Sequence, residues 1–147
     1  MKIIVLNGPN LNLLGVREPL LYGTTKFDEL VDMILQYGNK LGIKVAHFQS
    51  NSEGDIIDRI HSAIGEYDGI ILNAGAYTHY SYAIRDAIAS VEIPVIEVHI
   101  SNIYKREEFR QKSVIAPVCL GQISGLGIEG YRLAIDFFYR YFNSNNK

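Results

Sequence analysis

"GIILNAG", residues 69–75, decides how this chain folds. Ile70, Ile71 and Leu72 stand side by side in it, so both faces of the segment are apolar, and a glycine bounds each end. A strand with one wet face alternates polar and apolar residues; an unbroken apolar run this short is a strand covered on both faces, as in a parallel sheet. "KIIVLN" (2–7) and "IPVIEVHI" (93–100) share that composition. "IKVAHFQ" (43–49) is a fourth β-rich run and "CLGQISG" (119–125) a weaker fifth.

Helical patterns fill the gaps. Phe27, Leu30, Val31, Ile34, Leu35 and Leu41 follow the 3.6-residue period, and Gly42 can end that helix. Ser52 with Asp55 three residues on resembles a capping box, with Ile56, Ile57, Ile60 and Ile64 as one face. "SYAIRDAIASV" (81–91) reads as a third helix, "REEFRQ" (106–111) as a short fourth and "IEGYRLAIDFFYRYF" (128–142) as a longer last one. Strand and helix alternate throughout, which predicts a doubly wound α/β domain with a five-stranded parallel sheet. Residues 1–147 read as one domain, with a polar tail at 143–147.

The bulk numbers narrow the function. With 48% hydrophobic and 20% charged residues, the chain can build a packed core. A net charge of −2 speaks against nucleic acid. One cysteine, Cys119, cannot form an internal disulfide and fits a reducing compartment as a small apolar filler. No apolar run approaches ~18 residues, and "MKIIVLN" is too short for a signal core, so the expectation is a cytoplasmic protein with no membrane partner. The four histidines show no convergent ligand spacing, so no metal is expected.

In an open α/β sheet, ligands bind beyond the carboxyl ends of the strands, near the switch point in strand order. After the first strand come Asn7, Gly8, Pro9, Asn10 and Asn12, then the loop "GVREPLLYG" (15–23) with Arg17 and Tyr22. After the third come Asn73, Gly75, Tyr77, Thr78 and His79. In and after the fourth come Glu97, His99, Ser101 and Asn102, then Arg106 and Arg110. Together they describe a polar pocket for a small, oxygen-rich, anionic molecule. Each piece has a plainer reading. "NGPNLN" suits a simple turn. Arg17 suits a solvated charge and Tyr22 a loop anchor. His79 suits a polar helix start, and His99 a satisfied core histidine whose ring Glu97, on the same face, would orient. Arg106 and Arg110 suit either an anion or pairing with Glu107 and Glu108. His47 and His61 read as structural, and "DFFYRYF" as a packing or subunit face.

Taken in order, "VLNGPNLNLLGVREPLLYG", "FQSNSEGDIIDRIH", "ILNAGAYTHYSYAIRDAI", "IPVIEVHISNIYKREEFR" and "GLGIEGYRLAI" resemble the type II 3-dehydroquinate dehydratases, over almost the whole chain. The resemblance implies a flavodoxin-like fold and a homo-oligomer, usually a dodecamer built as a tetramer of trimers. It implies a lyase that removes water in trans from 3-dehydroquinate, giving 3-dehydroshikimate through an enolate with no cofactor. That is the third step of the shikimate pathway to chorismate and the aromatic amino acids. It makes Tyr22 the base and Arg17 the group that keeps it ionised. His99 is the general acid, and Asn10 holds a water near the enolate oxygen. Asn73, Ser101 and the Ile100 backbone would hold the carboxylate region, with Gly75 beside them. His79, Arg110 and an Asp86 from a neighbouring subunit would bind the ring hydroxyls. A free phenol titrates near ~10, so a tyrosinate base at neutral pH calls for strong electrostatic help. One opposite charge typically supplies ~1–3 units, which makes Arg106 a plausible second cation beside Arg17, with Glu97 supporting His99. A closing loop would carry phenolate and counter-charge together and exclude water.

This chain departs from the common family pattern at Ala74, Tyr80, Tyr104 and Lys105, none of which replaces an assigned catalytic group. Three rivals on this fold fit less well. A flavin or nucleotide binder wants a Ser/Thr/Gly-rich loop after the first strand, and "NGPNLNLLG" has neither Ser nor Thr. A receiver-type signalling domain wants acids where Asn7 and Asn73 stand. A non-catalytic assembly module gives no reason for polar groups to gather at the strand ends.

Overall fold

The structure, a computed structural model, describes residues 1–144. Five parallel strands form one sheet: β1 Lys2–Asn7, β2 Lys44–Gln49, β3 Gly69–Asn73, β4 Val95–His99 and β5 Gly121–Ser124. Their order is β2-β1-β3-β4-β5. The helices are α1 Pro19–Tyr22, α2 Phe27–Lys40, α3 Glu53–Ser62, α4 Tyr82–Ser90 and α5 Glu129–Ser144.

The doubly apolar strands are what hold the layers together. Along β1, Ile3 and Val5 pack into the core under α2 and α5, while Ile4 and Leu6 pack into the core under α3 and α4. Successive strand side chains point to opposite faces, so one apolar run serves both cores. On α5, Tyr131, Ala134, Ile135 and Phe138 are fully buried, spaced as one helical stripe. Among the described residues no helix is long and apolar enough to cross a membrane.

Helix starts follow the sequence closely. The Ser52 hydroxyl accepts from the Asp55 N–H (3.3 Å) and that of Ser81 from the Ile84 N–H (3.0 Å). The reciprocal half of the expected box is absent: the Asp55 carboxylate instead accepts from the Ser50 hydroxyl at 3.0 Å. The face of α3 also ends early. The helix stops at Ser62, Ala63 enters the core and Ile64 stays 62% exposed.

Three further expectations are corrected. "REEFRQ" forms no α-helix: 3₁₀ turns at Ile103–Lys105 and Glu108–Arg110 flank an extended Arg106 (φ −104°, ψ −166°). Six residues barely exceed the costly first helical turn; the Asn102 side-chain oxygen caps the preceding 3₁₀ turn, accepting from the Tyr104 N–H at 3.1 Å. The loop 15–23 contains the four-residue helix α1, entered through Pro19 at its first position. Of the tail expected at 143–147, Asn143 and Ser144 lie in the last turn of α5, and 145–147 lie outside the described residues.

Candidate active site

Strand order reverses between β1 and β3, and their carboxyl ends lie level, with Asn7 in register with Asn73. Switch points of this kind are where open α/β sheets bind ligands. Here the loops after the two strands press together because Gly8 and Gly75 allow it. A Cβ on Gly8 would stand 2.7 Å from the Ala74 carbonyl carbon and oxygen. Gly75 is left-handed (φ 59°) against Pro9. Asn10 is also left-handed (φ 68°), a conformation asparagine tolerates better than most residues, and its N–H donates to the Asn51 side-chain oxygen at 3.0 Å.

Beyond these ends lies a cleft of about 650 Å³ out to its open mouth, a size suited to a small molecule. Asn10, Arg17, Tyr22, Asn73, Gly75, His79, His99, Ile100, Ser101, Arg106 and Arg110 all line it. Among the described residues its lining holds these three arginines and two histidines and no carboxylate. The field therefore favours an anion. Glu97 lies beneath the cleft against His99. Asp86 is exposed on α4 and does not line the cleft of its own chain.

Tyr22 stands between two cations. Arg106 Nη1 donates to the phenol oxygen at 2.6 Å and Arg17 Nη2 at 3.2 Å. Their guanidinium carbons lie 5.3 Å and 4.7 Å from the ring centroid. Two charged N–H donors thus converge on the one phenol oxygen, and such charge-assisted contacts are among the stronger hydrogen bonds a protein makes. Arg106 Nη1 also reaches the Ser101 hydroxyl at 3.3 Å, tying the α1 loop to the segment after β4. Arg17 divides itself between Tyr22 and the neighbouring Glu18 carboxylate, 3.1 Å away.

His99 is held from below. Its Nε2 donates to Glu97 Oε2 at 2.6 Å, which leaves Nδ1 as the ring's other hydrogen-bonding atom. The Glu97 side chain is fully buried, a costly place for a carboxylate without partners. It has three: His99, the Ser113 hydroxyl at 2.8 Å and the Gln122 amide. Tyr104 donates its hydroxyl to Gln122 Oε1 at 3.3 Å and so joins this support. Ser113 and Gln122 carry no sequence signal that singles them out.

His79 stacks near His99, ring centroids 6.4 Å apart. Its Nδ1 donates to the Lys112 carbonyl at 2.8 Å, and burial keeps its pKa below the ordinary histidine range. It closes the 3₁₀ turn Gly75–His79 rather than opening a helix. Arg110 pairs through Nε with Glu107 at 2.7 Å and also lines the cleft. His47 lies outside the cleft lining, and its Nε2 is 3.1 Å from the Asn7 amide nitrogen. Burial pushes the Cys119 thiol up to about 12, and among the described residues no cluster of three or more His, Cys, Asp or Glu could hold a metal. Ala74 is fully buried against Gly8, and Tyr80 is exposed beside Tyr77.

Residues 1–139 match the family model described as dehydroquinase class II. The 3-dehydroquinate dehydratase of Caldicellulosiruptor saccharolyticus is 63% identical over 135 residues, spanning 91% of this chain and 93% of that one. That of Bacillus licheniformis is 57% identical over 145 residues, 99% of this chain and 98% of the other. The crystal structure of the type II dehydroquinase from Butyrivibrio crossotus superposes with a TM-score of 0.92 at 58% identity, over 93% of this chain and 96% of that one. With the sheet order, the paired guanidiniums on Tyr22 and these matches in hand, the chain belongs to the class II dehydroquinases.

Proposed function

We infer that this protein is a 3-dehydroquinate dehydratase, a hydro-lyase converting 3-dehydroquinate to 3-dehydroshikimate in aromatic biosynthesis. The observation that carries the mechanism is the pairing of a phenol oxygen held by two arginines with an imidazole held by a buried carboxylate, in one anion-attracting cleft. An elimination beside a ketone needs a base for the α-proton and an acid for the departing hydroxyl.

In this reading Tyr22, as phenolate, takes the proton alpha to the ketone, and the C–H electron pair becomes the enolate. Asn10 holds a water against the enolate oxygen. The enolate pair then forms the new carbon–carbon double bond as the β carbon–oxygen bond breaks. His99 protonates the departing hydroxyl, which leaves as water, with Glu97 standing as counter-charge to the imidazolium. Tyr22 is left as phenol and His99 as neutral imidazole. Return of one proton from the first to the second, through water, resets the site. Arg17 and Arg106 spread the negative charge that starts on the phenol oxygen, and Asn73, Gly75, Ile100 and Ser101 form the carboxylate end of the cleft. His79 and Arg110 take the ring hydroxyls.

The same reading makes the protein a cytoplasmic homo-oligomer, a dodecamer arranged as a tetramer of trimers, with Asp86 completing a neighbour's site. Its exposure on α4, away from its own cleft, supports that role. Mixing the purified protein with 3-dehydroquinate tests the reaction, because the product is a conjugated enone and the substrate is not. A rise in enone absorbance is expected; a folded protein that produces none would refute the reading.

A further inference from the structure

A run of polar groups passes beneath the cleft, and three of its members, Tyr131, Asn7 and His47, have no part in the chemistry above. Tyr131, on α5, is fully buried among Ala134, Ile135 and Phe138. Its ring belongs to the core, but its hydroxyl needs partners there. It donates to Asn7 Oδ1 at 2.6 Å and accepts from Asn73 Nδ2 at 2.9 Å. Asn73 Oδ1 in turn accepts from the Gly75 N–H at 3.2 Å. At the far end, Asn7 Nδ2 lies 3.1 Å from His47 Nε2.

The direction of this chain is fixed by chemistry. A backbone N–H can only donate, so Asn73 must turn its oxygen to Gly75 and its nitrogen to Tyr131. The Tyr131 proton must then go to the Asn7 oxygen, and the Asn7 nitrogen must face an unprotonated His47 Nε2. Burial of His47, which disfavours its charged form, agrees with that state. The reversed amide at Asn73 would set two donors against each other at Gly75 and leave the Tyr131 oxygen facing a carbonyl. With one Nδ2 hydrogen spent on Tyr131, Asn73 keeps a second for the cleft it lines.

We propose that Tyr131 is a positioning residue: its buried hydroxyl, directed by Asn7 and His47, locks the Asn73 amide with its donor side available to the substrate's carboxylate end. This rests on the dehydratase reading and on Asn73 as a substrate contact. A grip of this kind acts on substrate and transition state alike, so its loss appears in KM rather than kcat.

The test is a double-variant cycle in the enone assay with Tyr131→Phe, Asn73→Ala and their combination, each first checked for folding by thermal unfolding. Tyr131→Phe keeps the ring in the core. It is expected to raise KM about tenfold, the worth of one well-placed hydrogen bond, with kcat changed less than about threefold. Adding it to Asn73→Ala should raise KM no further, because the group it positions is gone. If Asn73→Ala leaves KM unchanged, the reading of Asn73 as a substrate contact fails, whatever Tyr131 does. If Asn73→Ala raises KM but Tyr131→Phe does not, or raises it additively, the positioning role is refuted. Should Tyr131→Phe not fold, His47→Leu removes the director at the half-buried far end of the run. It is expected to raise KM about threefold, and an unchanged KM would overturn the proposal.

Discussion

In the proposed mechanism Tyr22 is the base, and its oxygen meets two cations, the second from the far side of the cleft. Arg106 makes the shorter contact, 2.6 Å against 3.2 Å, and unlike Arg17 it is not shared with a neighbouring carboxylate. Arg106→Ala is therefore expected to cost at least as much kcat/KM as Arg17→Ala, each on the order of 10²-fold, as for other preorganised donors at a developing charge. Steady-state kinetics of the two variants would show it, and an Arg106→Ala enzyme with full activity would contradict it. Cys119 gives a simpler prediction. With its thiol pushed up to about 12 by burial, almost no thiolate exists near neutral pH, so thiol reagents should label the folded protein far more slowly than the unfolded chain. The residues that touch substrate in this account were legible in sequence because they sit in short strings after strand ends. Their supports were not. Tyr131, Gln122 and Ser113 reach partners 58, 25 and 16 residues away, and only the folded sheet brings those pairs together.

Among the elements, the close approach of the loops after β1 and β3 carries most of the site's geometry. A methyl group on Gly8 meets backbone, not a flexible side chain, so Gly8→Ala is expected to destabilise the fold by about 1–3 kcal/mol, measurable by urea denaturation. It should also depress activity by spreading Asn10 away from Gly75. Ser81→Ala should cost about 1 kcal/mol, losing both the α4 cap and the donor to Glu53 at 2.6 Å. Strands and long helices were readable because their periodicity is a property of the local chain. The connection between β4 and β5 was not. Its 3₁₀ turns depend on the Asn102 cap and on Arg106 reaching across to Tyr22, contacts that no helical pattern encodes. Ile64 misled in the same way: it keeps the period of α3, yet the helix ends before it.

At the scale of the whole molecule, acidity should loosen the fold. Burial lowers the pKa of both His47 and His79, so the unfolded chain binds their protons more tightly than the folded one. Their contribution to stability is full above the unfolded value of about 6.5 and is lost as pH falls through it and through the lowered native values. Urea denaturation at about pH 7 and about pH 5 should show this loss, and His47→Gln should make it smaller. An equal loss in wild type and variant would remove His47 from the explanation. In the proposed assembly Asp86, exposed on α4 and absent from its own cleft, would complete a neighbour's site. A stable monomer with full turnover would end the shared-site proposal. The central claim is that Tyr22 and His99 divide one proton abstraction and one proton donation between them. Its most direct test is kcat for Tyr22→Phe and His99→Ala in the enone assay, beside wild type and with folding confirmed. Losses of about 10²–10⁴-fold are expected in each. Near-wild-type turnover in either variant would contradict it.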